Sequence, residues 1–141
     1  MDTDRIMPAR FLVAVSFEGL EKHLFEDDRK ADPHHPFNDA RYRGASILVV
    51  NANFGCGSSR EHAVWAIQQA GYAAVIAPSF GDIFYSNATK NGLLPIVLPE
   101  EDVKAIMSKK VMTERKQLKR PNLPKTCIGL AWKKSRGSRH R

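Results

Sequence analysis

The feature that most narrows the folds open to this chain is a change of hydrophobic period within residues 47–70. Ile47-Leu48-Val49-Val50 is short, β-branched and apolar at every position, as expected of a strand buried on both faces. A glycine-rich turn follows, Asn53-Phe54-Gly55-Cys56-Gly57. Next comes Ser58-Ser59-Arg60-Glu61, which reads as a capping box with Ser58 at the N-cap and Glu61 at N3. Ala63, Ala66, Ile67 and Ala70 then recur at helical spacing, and Gly71 stands where a left-handed residue ends a helix.

The alternation repeats downstream. Residues 73–77 read as a second strand, and Ser79 as the start of a second helix with Asp82 three residues on and Phe80, Ile83 and Phe84 turned to the core. Asn91-Gly92 turns into a third strand at 93–98, whose Pro95 points to an edge or a bulge. Pro99 then opens a third helix, with Glu100, Glu101 and Asp102 in the turn where the helix dipole favours acids. The order β-α-β-α-β predicts an α/β domain with a parallel sheet and right-handed crossovers.

The first 44 residues are less periodic. Strand-like material surrounds Arg10-Phe11-Leu12-Val13-Ala14-Val15, and 18–43 is polar and charged, as in a long excursion over the surface. The net charge of +7 conceals a division of the chain: residues 1–103 carry 9 Lys and Arg against 14 Asp and Glu, and residues 104–141 carry 13 against one. The expected organisation is therefore a domain at 1–103 and a basic tail at 104–141, helical at its start and disordered beyond.

Several function classes are excluded or weakened. No apolar run approaches the roughly 18 residues of a membrane span, and the acidic opening Met1-Asp2-Thr3-Asp4 is unlike a basic signal peptide, so the chain reads as cytoplasmic. Cys56 and Cys127 are too few for an iron–sulfur cluster and match no zinc spacing; no metal ligands are expected in this chain. His34-His35, between Pro33 and Pro36, reads as an exposed loop.

The chemistry is concentrated in residues 55–62, at the carboxyl end of a parallel strand, where ligands bind in open α/β sheets. A dinucleotide fingerprint would need glycine at Arg60, a P-loop would need Gly-Lys-Ser/Thr, and a nucleophile elbow would need glycine at Glu61. What remains is a backbone turn (Gly55, Cys56, Gly57), two hydroxyls (Ser58, Ser59) and the Arg60 guanidinium at a positive helix end. That combination suits an anion, with Arg60 able to grip a carboxylate by two nitrogens. The alternative is structural: Ser58 caps, Glu61 completes the box, and Arg60 lies exposed on the helix. Cys56 has no adjacent base and reads as a packing residue, and His62 and Asp82 as packing or hydrogen-bonding groups.

Taken together, residues 53–63, Ala77-Pro78-Ser79-Phe80-Gly81-Asp82-Ile83-Phe84-Tyr85, Lys90-Asn91-Gly92-Leu93-Leu94-Pro95, the opening Asp2-Thr3-Asp4 and His23-Leu24-Phe25 resemble the small subunits of 3-isopropylmalate dehydratases in the aconitase superfamily. The resemblance spans about residues 2–103. It implies a three-layer swivelling β/β/α domain that docks on a large subunit carrying a 4Fe-4S cluster. The pair would interconvert 2- and 3-isopropylmalate by dehydration and rehydration in leucine synthesis. Carried over by motif, Ser58 resembles the serine base and Arg60 the clamp on the substrate carboxylate, with Ser59 beside them. Arg10, Phe11 and Leu12 fall where the family recognises substrate; an ordinary buried strand is the other reading of those residues. A serine base needs its alkoxide stabilised by helix N–H groups or a guanidinium, and loss of hydroxide needs a Lewis acid from a partner.

The chain departs from the family after residue 103. The change of composition suggests a truncated or frame-shifted C-terminus, and the competing expectation is a basic extension that binds RNA or another polyanion; Trp132 is its only aromatic and no RNA-binding motif is visible, so nucleic acid is not the expected partner. A related hydro-lyase acting on homoaconitate or a methyl-substituted malate also remains open, because one methylene in an apolar pocket is worth only about 1–3 kcal/mol of discrimination.

Overall fold

The structure, a computed structural model, describes residues 1–12, 18–57 and 60–108. Three strands, β1 (Ile47–Val49), β2 (Ala74–Ala77) and β3 (Leu94–Val97), form one parallel sheet in the order β1-β2-β3. Leu48 pairs with Val75, and Val75 with Pro95. Among the described residues Pro95 thus lies on an edge strand, where a missing N–H costs no ladder bond on the outer side. The α-helices among the described residues are α1 (Thr3–Ile6), α2 (Glu26–Ala31), α3 (Glu61–Gln69), α4 (Asp82–Asn91) and α5 (Glu100–Met107). Those between and after the strands, α3, α4 and α5, follow the expected alternation.

Helices cover both faces of the sheet. On one face Leu48, Val50, Val75 and Ala77 pack with Ala63, Val64, Ala66 and Ile67 of α3 and with Phe84 and Ala88 of α4. On the other, Val49 packs with Val103 and Met107 of α5. The parallel α/β core is as the sequence indicates; of the β/β/α layering implied by resemblance, the described residues contain this one sheet. Helix α5 runs across the boundary expected at residue 103, and residues 109–141 lie outside the described residues.

Helix ends show where local signals succeed. After α3 the left-handed Gly71 (φ +96°) lets its N–H reach Gln68 O at 2.9 Å and that of Tyr72 reach Ile67 O at 3.2 Å, the paired bonds that close a helix. The helix starts differ from expectation. Helix α3 begins at Glu61 with Arg60 as N-cap, so Glu61 is the first helical residue and not the third. Helix α4 begins at Asp82 with Gly81 as N-cap, because the Ser79 hydroxyl is engaged with Asn53. Ile83 is exposed and only Phe84 of the expected apolar trio is fully buried.

The N-terminal region also departs from expectation. Residues Ala9–Phe11 form a 3-10 turn and not a strand, while residues 13–17 lie outside the described residues. The stretch 18–43 is no structureless excursion: it contains a 3-10 turn at Leu20–His23, helix α2, and two more 3-10 turns. Leu20, Leu24 and Phe25 are buried in the main core together with Ile6 and Met7. Phe25 N–H donates to Ile6 O at 2.9 Å and Leu20 N–H to Gln69 Oε1 at 3.0 Å, which ties the segment to α1 and α3.

Candidate functional site

The site grows from the carboxyl ends of β1 and β2. Beyond β1 the chain turns at Asn53, held at φ +56°, whose N–H donates to Ser79 Oγ at 2.9 Å while the Ser79 hydroxyl donates to Asn53 Oδ1 at 3.2 Å. Phe54 N–H donates to Ser79 O at 3.2 Å, and Gly81 N–H returns a 2.9 Å bond to Phe54 O, a parallel bridge between Phe54 and Phe80. The opposite side of the same loop pairs with the start of the chain: Gly55 and Cys56 N–H donate to Met1 O at 2.8 and 3.2 Å, and Thr3 N–H donates to Cys56 O at 2.9 Å. The glycine loop is therefore gripped between residues 1–3 and 79–81.

The glycines are required by contact as well as by conformation. A β-carbon on Gly55 (φ +73°) would lie 2.3 Å from Phe84 Cγ, and one on Gly57 (φ +103°) 2.7 Å from Asp2 Oδ2. Cys56 between them is free and half-buried, with its N–H and C=O both committed to the first residues of the chain.

Arg60 stands at the N-cap of α3, where unpaired helix N–H groups carry partial positive charge. Its Nη1, a buried atom, lies 3.1 Å from Asp4 Oδ1, an ion-pair contact by distance that does not meet hydrogen-bond geometry. Asp4 belongs to α1, capped by Asp2, whose Oδ1 accepts the Asp4 N–H at 2.8 Å. Asp2, Asp4, Asn53 and Ser79 build the candidate site, and the motif reading assigned none of them a role there. The signal was present in that Asp2-Thr3-Asp4 and residues 53–63 both carried the resemblance, but nothing local says that segments more than 50 residues apart touch.

The structure thus gathers Gly55, Cys56, Gly57 and Arg60 into one loop and helix start; Ser58 and Ser59 lie outside the described residues. Arg10, Phe11 and Leu12 are held by other groups. Arg10 donates to both oxygens of Asp27 on α2, Nη1 to Oδ2 at 2.9 Å and Nη2 to Oδ1 at 2.5 Å. That pairing raises the Arg10 pKa and holds the Asp27 carboxyl below its ordinary range. The Phe11 ring stacks on His23 at 3.7 Å with the Arg10 guanidinium 4.6 Å from its centre, and Leu12 packs on the main core. His23 Nδ1 in turn meets Glu26 Oε2 at 2.6 Å, and Glu26 also pairs with Lys30. Hydrogen bonds from Lys30, chiefly, and from His23 hold the Glu26 carboxyl below its ordinary range. His62 packs edge-on against Trp65, and Asp82 is exposed at the start of α4.

Among the described residues no three His, Cys, Asp or Glu side chains come together as metal ligands, and no helix is long and apolar enough to cross a membrane.

The profile of the aconitase C-terminal domain matches residues 1–101 of this chain. The 3-isopropylmalate dehydratase small subunit of Shewanella denitrificans is 52% identical over 114 residues, covering 76% of this chain and 57% of that protein. The protein of the same name from Polaromonas naphthalenivorans is 50% identical over 117 residues, covering 73% and 54%. The crystal structure of 3-isopropylmalate dehydratase from Methanocaldococcus jannaschii aligns with a TM-score of 0.60 at 40% identity, covering 73% of this chain and 58% of that one. The chain thus spans somewhat more than half the length of these relatives.

Proposed function

Because the chain belongs to the aconitase C-terminal domain family, we propose that it is the small subunit of a two-subunit cytoplasmic hydro-lyase that interconverts 2- and 3-isopropylmalate in leucine synthesis. Its partner is a large subunit, which holds the 4Fe-4S cluster. The described residues of this chain do not form a ligand set for such a cluster, and what the chain contributes is a grip on the substrate and the removal of a proton.

The observation that carries the reading is the position of Arg60. It stands at the N-cap of α3, where the helix N–H groups present partial positive charge, in a chain about half identical to small subunits of that dehydratase. A guanidinium there holds a substrate carboxylate and draws off the charge that develops when the adjacent carbon loses its proton. We assign Ser58 as the base that takes this proton. Its alkoxide is stabilised by the positive end of α3 and by Arg60, and Ser59 adds a hydroxyl to the carboxylate. Phe11 and Leu12 are assigned to the isopropyl group, and the Arg10–Asp27 pair holds that segment in place.

The test is anaerobic turnover of 3-isopropylmalate by this chain mixed with a cluster-loaded large subunit. Turnover that disappears in Ser58→Ala is expected. Absence of turnover, where a full-length relative works in the same assay, overturns the reading.

A further inference from the structure

We propose that Asp4 is the positioning residue of Arg60: the carboxylate that holds the guanidinium in the direction from which it receives a substrate carboxylate. The proposal rests on the reading of Arg60 as a carboxylate clamp.

Three contacts anchor Asp4 to the loop that leads to Arg60. Thr3 N–H bonds Cys56 O, the Asp4 N–H bonds Asp2 Oδ1, and the Asp2 carboxylate fills the space beside Gly57 that a β-carbon would take. The Asp4 side chain therefore has a defined origin relative to the start of α3, and its Oδ1 lies 3.1 Å from Arg60 Nη1. An arginine side chain left to itself samples many rotamers, and that freedom must be given up whenever it grips a ligand. The ion pair between one Asp4 oxygen and Nη1 of Arg60, which is not aligned as a hydrogen bond, removes part of this freedom in advance by charge attraction. The side chains of Arg60 and Asp4 are 29% and 52% exposed. At that exposure an ion pair adds little to folding stability, so its effect is expected in ligand affinity and not in stability.

The experiment compares the full chain with Asp4→Asn and Asp4→Glu. Binding of 3-isopropylmalate is measured by calorimetry for each chain alone and mixed with the large subunit, alongside thermal midpoints and steady-state kinetics. Asp4→Asn is expected to weaken binding and raise KM by about tenfold with kcat changed less than about twofold, the signature of lost ground-state binding. The thermal midpoint is expected to stay at the wild-type value, and Asp4→Glu to restore part of the affinity.

Wild-type affinity in Asp4→Asn, or tighter binding, overturns the proposal, the latter because Asp4 would then be a competitor for Arg60. An equal loss in both variants accompanied by a lowered midpoint also overturns it, as does a wild-type chain that binds no 3-isopropylmalate in either state. The two readings fail separately. Binding weakened in Asp4→Asn without wild-type turnover refutes the isomerase and keeps the positioning role; turnover with an unchanged KM in Asp4→Asn does the reverse.

Discussion

Gly55 packs against the ring of Phe84 so closely that a β-carbon would lie 2.3 Å from Cγ, a contact that couples the site loop to the buried face of α4. Phe84 is 2% exposed, meets Phe54 edge-on at 5.2 Å and stacks on Phe80 at 5.9 Å, so a shift of the ring would disturb two aromatic contacts. Gly55→Ala is expected to destabilise the domain by about 3 kcal/mol or more, from overpacking and from a left-handed alanine together. Gly71→Ala is the control: φ is +96° there too, but nothing lies within 4 Å of the added carbon, so only the backbone cost of about 1–2 kcal/mol applies. Denaturant unfolding of both variants checks the difference, and equal losses would refute the packing argument.

The Asn53–Ser79 pair joins the loops that leave β1 and β2. Ser79→Ala removes the acceptor of the Asn53 N–H and the donor to Asn53 Oδ1, and is expected to cost about 1 kcal/mol in urea unfolding. Had the Ser79 hydroxyl capped α4, the same variant would loosen the first turn of that helix. Amide exchange separates the two, with faster exchange expected at Asn53 and none at residues 82–84.

Arg60→Lys keeps the charge and loses the planar fork. In the proposed enzyme its kcat/KM is expected to fall about 10- to 100-fold. Activity within twofold of wild type would mean that a point charge suffices and that two-nitrogen recognition of a carboxylate is not the role of this residue.

His35 supplies a pH dependence. Partial burial lowers its pKa, and its Nδ1 accepts the Phe37 N–H at 3.3 Å, a bond that a doubly protonated ring cannot make. The unfolded chain therefore binds the proton first as pH falls. The stability that His35 contributes is present above its ordinary value of about 6.5 and is lost as pH drops from there through the lowered folded value. Unfolding curves between pH 7.5 and 5 should show this loss, and His35→Gln should flatten it; an unchanged slope in the variant would assign the effect to other groups.

Sequence patterns located the elements and missed their contacts for one reason. The strands at 47–49, 74–77 and 94–97 and the helices between them were legible because apolar period and turn residues act within a few positions. Gly71 and the acids opening α5 were legible on the same ground. The capping assignment at Ser79 failed because a distant group entered: its hydroxyl is taken by Asn53, 26 residues away. Helix α3 begins at Glu61 and not at the box expected from Ser58. The region 18–43 looked like surface because its charges outnumber its apolar residues. Leu20, Leu24 and Phe25 are nevertheless buried, because 3-10 turns and α2 aim them at one spot.

The α/β alternation, the position of β3 at the edge of the described sheet and the glycine loop after β1 were all set by residues close together in the chain, and could be read from it. That Asp2 and Asp4 lie against Gly57 and Arg60, and that Arg10 is bound to α2, emerged with the folded chain. Those pairings depend on how separate segments pack around one core, and a carboxylate's partner is set by that packing, which no local spacing records.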